Sequence, residues 1–189
     1  SKLHQSVYKN KIEKRSRIIS FWKYELPEIF FARRKELLIS FVVFFIAIVI
    51  GVVSSLGDTG FVRLILGDSY VNMTQENIKN DDPLAVYKQM NGVDMFMGIT
   101  FNNIRVSFYA FTAGLFLSVG TILLLLYNGI MLGTFHHLFY TQDLLLKSLS
   151  IVWIHGTLEI SSIIIAGAAG LILGNSILFP KTYSRRQSF

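Results

Sequence analysis

The sequence predicts an all-α fold: a polytopic helical membrane protein with about four membrane segments, an N-terminal interfacial amphipathic helix and a long extracytoplasmic hairpin. Three observations carry this. The 189 residues are 52% hydrophobic and 14% aromatic, with only 16% charged, whereas an ordinary soluble domain is about 25% charged. Uncharged, mostly apolar runs cover residues 37–56, 106–126 and 161–179, and as helices each reaches roughly the 30 Å of a hydrocarbon core. Charge is also segregated: ten of the eighteen basic residues fall in residues 1–36, while residues 57–94 hold six acids against Arg63, Lys79 and Lys88. Basic residues beside a first span mark its cytoplasmic side.

Composition also narrows the function. The chain has no cysteine, which excludes a disulfide framework, a thiolate metal site and a cysteine nucleophile. The net charge of +6 is concentrated beside the first span, so it indicates membrane lipids as the partner and no nucleic acid.

Taken in order, residues 1–35 form a basic and amphipathic cytoplasmic segment. Residues 1–17 are polar and basic, and 18–31 mix Ile18, Ile19, Phe21, Trp22, Tyr24, Phe30 and Phe31 with Lys23, Glu25 and Glu28. That mixture suits the headgroup layer. Pro27 either opens a second helix or kinks a continuous one. The alternative is a basic arm that packs on an upstream soluble domain.

Residues 36–180 form the membrane domain, with spans expected at about 37–56, 106–126, 129–146 and 155–179. Gly51 and Ser55 offer the first span a small-residue face. The outer loop, 57–94, is too long to be unstructured. Its apolar run 61–66 should lie against the membrane or the bundle, residues 72–88 look helical, and Asp82-Pro83 reads as a cap and a first helical residue. Ala110, Gly114 and Ser118 give the second span a stripe for close packing. The dipeptide Asn128-Gly129 is a turn signal, which separates the second span from the third. The third segment carries Gly133, His136, His137 and Asp143, and a re-entrant half-helix is its alternative to a full crossing. Residues 148–179 exceed the hydrocarbon thickness as one straight helix, so a break or tilt is expected near residues 153–155. Gly156 follows that point, and Ala166, Gly170 and Gly174 supply a second packing stripe. Residues 181–189 are a basic tail. With Lys181, Arg185 and Arg186 cytoplasmic, the number of crossings is even, which places a multi-pass chain in the membrane with its N-terminus inside.

His155 and Glu159 share one face of the last helix. Ionisable residues at membrane depth are costly and normally partnered. The four-crossing layout brings them level with Asn102, Asn103 and Arg105 near the outer face, as an intramembrane polar cluster held by an Arg105–Glu159 ion pair. A metal reading has His155, Glu159 and one of His136 or His137, which point to different faces and leave the ligand set short. No nucleophile elbow, phosphate loop or HExxH pattern is present, so neither catalytic residues nor a metal or other cofactor are expected. The remaining alternative is a small-solute or ion transporter that uses His155 and Glu159.

The order Asn102-Asn103, Gly114, Gly120, Asn128-Gly129, Gly133, His155-Gly156-Thr157-Leu158-Glu159-Ile160 and Leu178-Phe179-Pro180 resembles the stage II sporulation protein M family. Residues 66–74 and 179–184 are similar to the longer members found in Bacteroidetes-type bacteria. The resemblance covers roughly residues 26–184. It implies a bacterial inner-membrane protein that anchors or scaffolds other membrane or periplasmic proteins, peptidoglycan-degrading ones in spore formers, within a complex or as a homo-oligomer. Longer relatives continue with further hydrophobic segments after the position of Ser184, so the chain is expected to be a C-terminally truncated piece.

Overall fold

The computed structural model describes residues 16–80 and 92–179. The basic arm 1–15, the Asp82-Pro83 cap and the tail 181–189 lie outside the described residues. The chain divides into two units, residues 1–35 and 36–189.

In the first unit, α1 (Ser16–Ser20) passes through a π-helical turn, Phe21–Glu25, into α2 (Leu26–Ala32). The amide of Leu26 bonds the carbonyl of Phe21. Pro27 has no N–H to offer the preceding turn, and the wider turn accommodates this at its start of α2. Ile18, Ile19, Trp22, Tyr24 and Phe31 are all exposed. An aromatic surface with Lys23 over Tyr24 and Arg34 over Phe31 is what an interfacial segment presents to headgroups.

The second unit is built on α3 (Arg34–Gly57), α6 (Gly92–Thr112), α7 (Val119–Tyr140) and α8 (Leu145–Leu178), with the shorter α4 (Thr59–Leu66) and α5 (Asp68–Lys79) between α3 and α6. Among the described residues α3, α7 and residues Gly156–Leu178 of α8 are long and apolar enough to cross a membrane. Contacts fix their directions. Ser40 Oγ of α3 donates to the Ile164 carbonyl of α8 at 2.8 Å, and Phe44 packs with Ile163, so α3 and α8 are antiparallel. Gly129 of α7 lies against Phe44 and Ala47, and Gly133 against Ile48 and Val52, so α3 and α7 run the same way. Thr121 Oγ1 donates back to the Ala110 carbonyl at 2.8 Å, making α6 and α7 an antiparallel hairpin. Gly114 meets the backbone of Gly170 and Gly174 meets Ser118. With α6 antiparallel to α7, this sets α6 parallel to α8.

Two boundaries differ from the sequence expectation. The 106–126 run is not one span, because the chain turns at a 3-10 segment, Ala113–Leu115, followed by Leu117 and Ser118 at φ 54° and 67°. Left-handed backbone is unfavourable for both residue types. Docking holds it: Ser118 N–H bonds the Gly114 carbonyl at 3.1 Å, and Ser118 Oγ donates to the Leu171 carbonyl of α8 at 3.2 Å. Asn128-Gly129 is therefore no turn. It sits inside α7, where Asn128 Nδ2 donates to the Leu124 carbonyl at 2.8 Å. The third segment accordingly covers Val119–Tyr140 rather than 129–146, and it ends where Leu144 N–H reaches the Phe139 carbonyl at 3.0 Å over a left-handed Asp143. The break expected near residues 153–155 is absent, for α8 is a continuous helix of 34 residues. No proline interrupts it, so its excess over the membrane thickness is carried as length.

The described part of the 57–94 loop, residues 57–80, is structured. Asp58 accepts from Gly60 N–H to cap α4, and Arg63 bonds Asp68 at 3.0 Å and Asn72 at 2.8 Å to close the α4–α5 corner at Gly67. Val62 and Val71 pack on Leu138 of α7, and Tyr70 meets Phe135. The apolar run 61–66 thus packs on the bundle through Val62, while Leu64 is exposed. The helix expected at 72–88 is α5, which starts earlier, at Asp68, and residues 81–88 lie outside the described residues.

Close helix approach requires glycine at Gly133, where a Cβ would collide with the Ile48 carbonyl. Gly133→Ala should therefore cost about 1–3 kcal/mol through overpacking, lowering Tm in detergent by roughly 3–10 °C. Gly98→Ala, where a Cβ meets nothing, should leave Tm unchanged or slightly raised. Equal effects at the two sites would contradict the contact.

Candidate functional site

Small residues set the spacing of the helices, and the spacing opens one groove of polar interest. On α8, Gly167 lies against Ser40 and Leu125, Gly170 against Ala110 and Thr121, and Gly174 against Ser118 and Gly114. On α3, Gly51 lies against Ile130. These contacts draw α6 and α8 together at Gly114 and Gly170. Toward the start of each helix the larger side chains hold them apart, leaving a groove of about 930 Å³. Phe96, Ile104, Phe108, Leu158 and Ile165 contribute to its apolar walls, with Ala166 among its lining. Thr100, Asn103, Ser107, Glu159 and Ser162 are its polar groups.

The structure brings together only part of the expected cluster. Asn103 and Glu159 share the groove, both half-buried. Asn102 and Arg105 are exposed on another flank of α6, where Arg105 Nη2 donates to Asn102 Oδ1 at 3.2 Å. The Arg105–Glu159 ion pair is not formed within the chain: Arg105 lines the far flank with Gly98, Phe101 and Asn102, and Glu159 is engaged by a contact of its own. The reason is geometric. Positions 103 and 105 are two residues apart, about 200° around a helix, so the residue that faces α8 cannot be followed by an arginine that also does. The backbone of α8 carries His155, but its side chain lies outside the described residues. Gly156 is buried.

The depth also differs. Glu159 is five residues before Ile164, about 7.5 Å along α8. Since Ile164 is bonded to Ser40 and α3 runs the opposite way, Glu159 comes level with about Phe45, the centre of the 37–56 run. Asn103 shares that level, and Arg105 lies about 3 Å further along α6. The polar residues are thus at mid-span, not near the outer face.

Sequence reasoning missed Ser40, Ser107, Thr121 and Gly167. Ser40 is the polar residue in the first half of an apolar run, and Ser107 follows Asn103 by one helical turn; both spacings were available as signals. Asn103 Oδ1 and Ser107 Oγ are buried without a hydrogen-bond partner among the described residues. An orphaned acceptor of this kind costs about 1–3 kcal/mol.

A family model described as Stage II sporulation protein M matches residues 40–189. No curated protein matches, and no solved structure does.

Replacing the orphan should not weaken the fold. Asn103→Leu, similar in volume, is expected to keep Tm in detergent or raise it by a few degrees, and a fall would show that the amide is bonded in the native bundle.

Proposed function

Because the chain belongs to the stage II sporulation protein M family, we propose that it is a multi-pass scaffold of the bacterial cytoplasmic membrane that positions envelope proteins, peptidoglycan-remodelling ones among them. In this reading the basic segment 1–35 is cytoplasmic, as its ten basic residues favour. Helices α3 and α7 then run outward and α6 and α8 inward, and the α4–α5 corner lies on the extracytoplasmic side.

The observation that carries the reading is that corner. An outer loop of a simple anchor needs no tertiary structure. Here Val62, Val71 and Leu138 fasten two helices to the end of α7, and Arg63 ties one to the other. The result is a folded platform whose Leu64 is 78% exposed. In this reading, that exposed leucine on a braced element is the contact offered to a protein partner. The transporter reading, with His155 and Glu159 as its proton-carrying pair, requires a path through the bundle. The groove at Glu159 is instead lined by two neighbouring helices, and glycine contacts draw α3, α7 and α8 close.

A photo-crosslinking amino acid at Leu64 in intact cells should capture one discrete envelope protein. The same probe at Leu123, 61% exposed on the flank of a span, should not capture it. Solute or ion flux in proteoliposomes that disappears with Glu159→Gln would instead establish transport and overturn the scaffold.

A further inference from the structure

The monomer accommodates Arg105 poorly. It is exposed, on a helix packed within the bundle, and level with the middle of the α3 span. A guanidinium facing hydrocarbon at that depth is costly, and such residues face protein or water. Its hydrogen bond to Asn102 satisfies one of five donors and supplies no counter-charge.

From this we infer that α6 is a self-association surface on which a second copy of the chain seats its Arg105 against Glu159 of the first, and reciprocally. Three features fit a second copy. First, the charges are complementary: an acid lines the groove and a base stands on the neighbouring flank of the same chain. Second, the depths match. A two-fold axis along the membrane normal carries each residue to the same depth in the other copy. Arg105 and Glu159 differ by only about two residues of helix rise, about 3 Å, within the span of one side chain. Third, the shapes match. Ile104 and Phe108 border both the groove and the Arg105 flank, so they form the crest between them. Each is 60% exposed. A crest of one copy entering the groove of the other buries both sets of apolar residues and carries Arg105 across to the acid. The surface exists independently of what the scaffold recruits, so self-association and partner capture can fail separately.

The test uses the full chain in reconstituted bilayers. Arg105→Glu alone and Glu159→Arg alone should each weaken self-association by about tenfold or more. Co-expressed, the two single variants should associate with each other, because each then offers the charge that the other lacks at both contacts. Pairing within one chain cannot produce that rescue. Since the chain has no cysteine, Ile104→Cys or Phe108→Cys in the otherwise native protein should form a disulfide-linked dimer on mild oxidation, and Tyr127→Cys on α7 should not. This second measurement does not depend on the charge variants folding. Failure of the mixed variants to associate, undiminished association of either alone, or cross-linking no stronger at Ile104 and Phe108 than at Tyr127 would overturn the interface.

Discussion

The fold depends on backbone meeting backbone where Gly114, Gly170, Gly174 and Ser118 converge. In a bilayer the apolar effect does not drive helices together, so close van der Waals packing and interhelical hydrogen bonds must. A side chain on any of these three glycines would enter a neighbour. Their smallness lets the left-handed turn at Leu117 and Ser118 seat on α8, and the Ser118 and Thr121 hydroxyls bond the backbone around it. That seat fixes the register of α6 against α8. The register in turn puts Asn103 opposite Glu159 and leaves Arg105 outside.

A second set of small residues completes the bundle. Gly51, Gly129 and Gly133 allow α3 and α7 to approach, and Ser40 ties α3 to α8 through the Ile164 carbonyl. Serine and threonine here bond carbonyls that already serve a helix, which satisfies their hydroxyls without water. The two arrangements together leave Asn103 Oδ1 and Ser107 Oγ without a hydrogen-bond partner among the described residues and Arg105 exposed on the face shared by α6 and the start of the α8 span. The mid-span position makes any match to this face demanding: whatever covers it must offer charge at the right depth.

Much of this was legible in the sequence. The first span is an uninterrupted apolar run, and the small-residue stripes mark the close contacts at Ala110, Gly114, Ser118, Gly170 and Gly174, whereas Ala166 lines the groove. The hairpin boundary was not legible, because the local signals point the other way. Asn128-Gly129 has turn chemistry, yet Asn128 bonds back to its own helix and Gly129 is present to admit Phe44 and Ala47. The actual turn uses a leucine and a serine in left-handed backbone, which only docking on α8 makes tolerable. The polar cluster failed in part for a simpler reason. The i, i+2 relation of Asn103 and Arg105 already places them on opposite faces, and the depth of Glu159 needed the Ser40–Ile164 bond, which joins residues 124 apart.

The hairpin at Leu117 decides the register, so its position is the measurement to make. In a chain without native cysteine, Leu117→Cys and Asn128→Cys can each be challenged with a membrane-impermeant maleimide from either side of oriented vesicles. The account predicts labelling of Leu117→Cys from one side only, with Asn128→Cys protected until the membrane is dissolved and the protein unfolded. Labelling of Asn128→Cys with protection of Leu117→Cys would place the turn inside α7 and contradict the arrangement of every helix after it.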